Sequence, residues 1–339
     1  MTIRIALDAM GGDRAPVAPV EGAVLALEHH PDCEFILVGQ AGVIEAELTR
    51  LGVDHSHFTI HPASEVVGMA EKPSVALRSK KDSSMRVGAN LLKSGQADAF
   101  VSSGNTGALM ATARYVLKTL PGVDRPAIMA VVPSMTGQTL MLDVGANVDC
   151  TADHLCQFAL MGKVYAMAVM DLPNPRVGLL NIGEEEIKGN EVVKEAAERL
   201  KQSGGVGFVG NVEASDIFSG GVDVVVCDGF VGNVSLKTTE GMARMLTHFL
   251  REAFSASIWT KLGYLAAKPA LATFRSRVDP RKYNGAILLG LNGIVVKSHG
   301  SADPYAFSRA IDVAAGLSAN RVNEKIRRAI EALADTGGE

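Results

Sequence analysis

The stretch Asp98-Ala99-Phe100-Val101-Ser102-Ser103-Gly104-Asn105-Thr106-Gly107-Ala108 decides the fold. A short apolar run, continuous rather than alternating, stops at hydroxyls and glycines, and a helical apolar period over 106–119 follows. Such a run reads as a strand buried on both faces, as in a parallel sheet covered by helices. The glycines let backbone approach a ligand, and a helix N-terminus presents free amides, so the turn reads as an anion site, most simply for phosphate. The competing reading is a Ser/Asn helix cap on a tight turn. Strand, glycine loop and helix in this order form the unit of a doubly wound α/β fold.

The same order extends in both directions. Further strands are expected at 3–9, 34–39, 58–61, 127–132, 139–143, 176–182, 206–210, 223–227, 286–289 and 294–297. Helices are expected at 16–29, 41–51, 74–94, 151–170, 190–202, 232–255 and 303–333. Two connections are too short for a crossover. One is 133–138; the other lies near Gly290 and Gly293, and both predict antiparallel hairpins. The expectation is one α/β/α catalytic domain over 1–339. It has a large, doubly wound, mixed but mostly parallel sheet, helices on both faces, and a helical elaboration at 253–278.

The 339 residues include 35 glycines and are 47% hydrophobic, enough for a large core. A net charge of −4 gives no global nucleic-acid footprint. Cys33, Cys150, Cys156 and Cys227 form no C-x-x-C pair, which predicts a reducing, cytoplasmic home. No signal peptide is expected, and no uncharged apolar stretch reaches the ~18 residues of a membrane span.

Ligands of doubly wound sheets bind outside the carboxyl ends of the strands. Six such ends carry small polar residues, and all six are expected at one edge. They are Asp8, Gly11, Gly12 and Asp13; Ser102, Ser103, Gly104, Asn105, Thr106 and Gly107; Asp143, Gly145 and Asn147; Asn181, Glu184 to Glu186 and Lys188; Asp228 to Asn233; and Lys297 to Ser301. Ser102, Ser103 and Thr106 offer hydroxyls to an anion. Glu184–Glu186 read equally as a carboxylate cluster or a solvated loop. His299 reads as a general acid/base or as a positioning residue. Gly205, Gly207 and Gly210 match G-x-G-x-x-G but run into a strand, so they read as no nucleotide site. His55, His57 and His61 read as exposed or edge histidines, and no metal is expected. Cys227 beside Asp228 reads as a buried structural cysteine.

Residues 253–278 hold Lys261, Lys268, Arg275 and Arg277 with no acidic residue, beside Trp259, Leu262 and Leu265. Pro269 should divide them into two short helices. Basic charge beside Trp and Leu predicts a surface for membrane or an acidic partner. The alternative is a hairpin packed on the core or on a second subunit.

Taken together, Ile5 to Asp13, Ser102 to Ala108, Asp143 to Asn147, Asp228 to Asn233 and Ser298-His299-Gly300 closely resemble the bacterial phosphate acyltransferases of phospholipid synthesis, the PlsX family. The resemblance covers essentially the whole chain. It implies transfer of a long-chain acyl group from acyl carrier protein to inorganic phosphate, with the acyl phosphate passing to a membrane glycerol-3-phosphate acyltransferase. It also implies an isocitrate/isopropylmalate dehydrogenase-like fold, a homodimer, no cofactor, and a peripheral membrane protein touching the bilayer through 253–278. The residues suit that chemistry. Phosphate is a ready nucleophile and a thiolate, pKa ~8.5, a ready leaving group. The remaining tasks are holding an anion and stabilising an oxyanion. Ser102–Thr106 are expected to hold phosphate, with Lys188 or Lys297 neutralising it. Asn233 or nearby amides would face the oxyanion, and His299 would shuttle a proton. Two other readings are a phosphate acetyl- or butyryltransferase using coenzyme A thioesters, and a non-catalytic membrane-surface scaffold.

Overall fold

The computed structural model describes residues 2–336. Every expected strand forms: β1 (Ile3–Asp8), β2 (Cys33–Gly39), β3 (Phe58–Pro62), β4 (Ala99–Ser102), β5 (Ala127–Pro133), β6 (Gln138–Leu142), β7 (Val177–Leu180), β8 (Phe208–Val212), β9 (Val224–Val226), β10 (Ala286–Leu289) and β11 (Ile294–Lys297). They join one sheet in the order β3-β2-β1-β4-β11-β10-β5-β6-β9-β7-β8. The central strands β4, β7, β9 and β11 are buried along their whole length, which is why their sequences do not alternate.

The pairs β5–β6 and β10–β11 are antiparallel, as expected, and so is β5–β10; the remaining ladders are parallel. The reversals have a consequence that corrects the single-edge expectation. Strands β3, β2, β1, β4, β11 and β5 run one way, and β10, β6, β9, β7 and β8 run the other. A hairpin turn cannot carry the chain back across the sheet, so each one inverts the direction of the next strand. The carboxyl ends of β1, β4 and β11 therefore share one end of the sheet, and those of β6, β7 and β9 the opposite end.

The helices are α1 (Val17–His29), α2 (Ala41–Leu51), α3 (Pro73–Ser79), α4 (Ser84–Lys93), α5 (Thr106–Leu117), α6 (Ala152–Val169), α7 (Glu191–Ser203), α8 (Gly229–Ser255), α9 (Ile258–Val278), α10 (Pro304–Ala319) and α11 (Val322–Thr336). One face of the sheet packs on α1, α2, α6, α7, α10 and α11. The other packs on α3, α4 and α5. Two expected helices are each two. The 74–94 period breaks before Ser83, whose hydroxyl caps α4, and the 303–333 period breaks at Arg321, where φ is 50°.

Pro269 corrects another expectation, because α9 runs unbroken through it. The residue four positions earlier, Leu265, is 63% exposed, so its carbonyl can turn to water where the proline offers no amide. A reciprocal cap between Ser257 and Thr260 starts the helix. With 27 residues, α8 is about 40 Å long and outruns the sheet it crosses. It starts where β9 ends, and α9 packs back on it before the chain enters β10.

Candidate active site

At the end shared by β1, β4 and β11, the loops are tied by buried hydrogen bonds. The Ser102 hydroxyl donates to Asp8 Oδ2 at 2.6 Å and accepts from the Gly104 amide at 3.1 Å. Ser103 donates to the Gly11 carbonyl at 2.7 Å, and the Asp13 amide donates to the Gly300 carbonyl at 2.8 Å. A Cβ on Gly12 would lie 2.6 Å from Ser103 Oγ and 2.9 Å from the Gly300 carbonyl oxygen, so only glycine allows this approach. Both hydroxyl protons are therefore donated within the protein.

Asn105 caps α5, its Oδ1 accepting from the Ala108 amide at 2.9 Å, while its Nδ2 donates to the Met69 carbonyl at 2.6 Å. The cap reading of this turn is thus met by Asn105. The amides of Thr106 and Gly107 open the helix with no intrahelical acceptor, and both residues are exposed.

Beneath this loop lies Lys297, which is 8% exposed. Its Nζ donates to the Ser103 carbonyl at 3.4 Å and to that of Ser298. Burial lowers its pKa to about 8, against the attraction of Asp8 and with a push from Lys237. Burial also raises the Asp8 carboxyl, opposed by hydrogen bonds from Ser102 and Ser84. His299 follows on the surface. Its amide donates to Asn284 Oδ1 at 2.9 Å, and its Nδ1 accepts from the Ser301 amide at 3.3 Å, leaving the ring proton on Nε2. Burial and Lys237 lower its pKa, while Glu240 raises it. Lys237 and Glu240 stand two to three turns into α8, so α8 joins the two ends of the sheet. Lys237 was not singled out from sequence, although it lies one helical turn beyond Asn233.

The second set of loops is different in kind. Asp143 is fully buried and accepts from the amides of Ile128, Gly145, Ala146 and Asn147 and from Asn147 Nδ2. Asn147 Nδ2 also donates to the Pro126 carbonyl at 2.8 Å. These bonds brace the turn, with Asn147 Nδ2 shared between Asp143 and Pro126. Asp228 caps α8 through the Val231 amide at 2.8 Å. Asn233 is exposed on the first turns of α8, and Gly145 lies under it. Lys188 and Glu184 are exposed in the loop after β7, and Glu186 pairs with Lys201, so the acidic triplet is a solvated loop. Among the described contacts, Lys188 has none with the 102–107 loop. Gly207 and Gly210 have φ of +76° and +113° at an irregular β7–β8 register, so the Gly205–Gly210 motif is bent strand. His55 and His57 form a 3-10 turn and His61 lies on the edge strand β3, as expected. Cys227 is buried.

The family described as "Fatty acid synthesis protein" matches residues 3–325. A phosphate acyltransferase of Magnetococcus marinus is 62% identical over 97% of this chain and 96% of its own length. One from Alkalilimnicola ehrlichii is 56% identical over 98% and 97%.

The chain belongs to the phosphate acyltransferase family.

It is thus an acyltransferase of fatty acid and phospholipid synthesis. Solved structures with the same fold include a phosphotransacetylase from Streptococcus pyogenes, with a TM-score of 0.61 at 20% identity over 94% of each chain. A branched-chain phosphotransacylase from Enterococcus faecalis gives 0.55 at 13% identity over 93% of this chain and 99% of its own. In this phosphate acyltransferase, the loops after β1, β4 and β11 are tied together around Lys297, and Lys237 of α8 is close enough to act on the charge of Lys297 and His299.

Proposed function

We propose that this acyltransferase moves a long-chain acyl group from acyl carrier protein to inorganic phosphate, and that the acyl phosphate serves a membrane glycerol-3-phosphate acyltransferase. The observation that carries the phosphate half is a buried cation, Lys297, under a glycine loop whose helix opens with unpaired amides at Thr106 and Gly107. The amides hold the anion and Lys297 offsets its charge. A bound phosphate oxygen attacks the thioester carbonyl, the carbonyl oxygen becomes an oxyanion, and the thiolate leaves as the intermediate collapses. Asn233 and Lys237, on one face of α8, are the donors for that oxyanion. His299 Nε2 serves the proton traffic of the leaving sulfur. Lys188 and Glu184, Glu185 and Glu186, solvated at the far end, take no part in holding phosphate.

The α8–α9 hairpin supports a peripheral membrane role. Trp259 is 78% exposed, and Leu262, Leu265, Phe249 and Leu246 are exposed with it. No described helix is long and apolar enough to cross a membrane, so contact would be interfacial. Two copies of the chain would form the homodimer that the family resemblance implies.

Incubating the protein with phosphate and either palmitoyl-acyl carrier protein or palmitoyl-coenzyme A tests the donor. Acyl phosphate from the carrier, with at most about a hundredth of that kcat/KM from coenzyme A, is the expected outcome. Equal use of coenzyme A would favour the acetyl- or butyryltransferase reading, and no acyl phosphate from either would leave a scaffold.

A further inference from the structure

Charge is unevenly spread along this chain. Residues 72–118 hold eight Lys and Arg against only Asp82 and Asp98, a local charge of +6 in a chain of net −4. Both acids are occupied elsewhere: Asp82 accepts from the amide and hydroxyl of Ser64, and Asp98 pairs with Arg4 at 3.1 Å. None of the eight basic side chains makes a salt bridge among the described residues, whereas Arg4, Arg50, Arg176, Arg199 and Arg281 all do.

The fold brings the helices that carry these charges together. Helices α3 and α4 both pack against α5. Arg86 of α4 and Lys118 beyond α5 both stand over the ring of Tyr115, at 4.6 and 5.0 Å from its centre, and Tyr115 is 53% exposed. Arg78 on α3, Lys81 after it and Arg114 on α5 are also exposed. The face begins at the anion loop itself, since Asn105 holds the carbonyls of Met69 and Glu71, and Gly107 abuts Pro73.

We propose that the α3–α4–α5 face is the docking surface for the acidic carrier protein, with the thioester arm entering beside Gly107. This inference rests on the donor proposed above. Cations without salt bridges, two of them at one exposed aromatic ring, suit an acidic protein surface, steering it and fixing its orientation. A lipid surface is less suited to the face, because its exposed groups are chiefly charged, while the large apolar side chains Trp259, Leu262 and Leu265 stand on α9.

Two charge-reversal pairs test the assignment, Arg114→Glu with Lys118→Glu and Arg78→Glu with Lys81→Glu. Wild type must first turn over palmitoyl-acyl carrier protein; if it does not, the donor reading fails before the docking surface is tested. Given turnover, each pair is expected to raise the KM for palmitoyl-acyl carrier protein by about tenfold and to flatten its dependence on salt, leaving the phosphate KM unchanged. Circular dichroism checks that the variants are folded. Arg327→Glu with Arg328→Glu, exposed on α11, should leave the carrier KM unchanged. A carrier KM within twofold of wild type in both face variants overturns the proposal. Loss of binding to phosphatidylglycerol vesicles by the face variants, with the carrier KM unmoved, would overturn it in favour of a membrane contact.

Discussion

Lys297→Met is expected to lower kcat/KM for phosphate by about a hundredfold to a thousandfold while leaving the KM for the acyl donor within a few-fold of wild type. Lys297 is the buried cation at the loop that holds the acceptor anion, and methionine keeps its length without its charge. The loss should fall on phosphate because the acyl chain makes no use of that charge. The pH dependence should go with it. In the free protein the Lys297 ammonium is lost as pH rises through about 8, so kcat/KM for phosphate should bend downward there. A bound dianion favours the protonated form, so the same limb in kcat should lie at higher pH. The variant should lack that limb. A phosphate kcat/KM within threefold of wild type in the folded variant would remove Lys297 from the site.

The second large effect is on stability. Asp143→Ala removes the acceptor of five hydrogen bonds, three of them buried, from the amides of Ile128 and Asn147 and from Asn147 Nδ2. Unpaired buried donors cost about 1–3 kcal/mol each and are not additive, so a loss of about 4 kcal/mol or more is expected in urea unfolding. Most domains hold only about 5–15 kcal/mol in reserve. The turn also supports α8, because the Gly229 amide donates to the Asn147 carbonyl at 2.7 Å. A Cβ on Gly232 would come within 1.9 Å of the Asp143 carbonyl oxygen, which shows how closely helix and turn are packed. If Asp143→Ala unfolded at the wild-type midpoint yet had lost transfer, Asp143 would belong to the chemistry and not to the scaffold.

These two residues also show what the sequence could and could not reveal. The strands were legible because burial on both faces leaves continuous apolar runs, as in Val295 and Val296. Both hairpins were legible from their short glycine or polar connections. Their effect on direction was the harder step: once β5 turns into β6, every later loop up to β10 changes ends, and spacing along a chain does not display that. Lys188 and Lys297 both stand at strand ends in the sequence, Lys297 as the last residue of an expected strand and Lys188 beyond one. That Lys297 is buried and Lys188 exposed is visible only in the structure. Ser102 and Asp8 are 94 residues apart, so nothing local shows that the hydroxyl is already taken. Pro269 was read by intrinsic propensity, which an exposed helix with a strong cap overrides.

The placement of the acceptor decides the account. In a crystal structure with inorganic phosphate, the anion is expected within hydrogen-bond distance, about 3 Å, of amides in the 102–107 loop, with Lys297 as its nearest lysine. Phosphate seated instead in the 181–190 loop, with Lys188 as its nearest lysine, would contradict it.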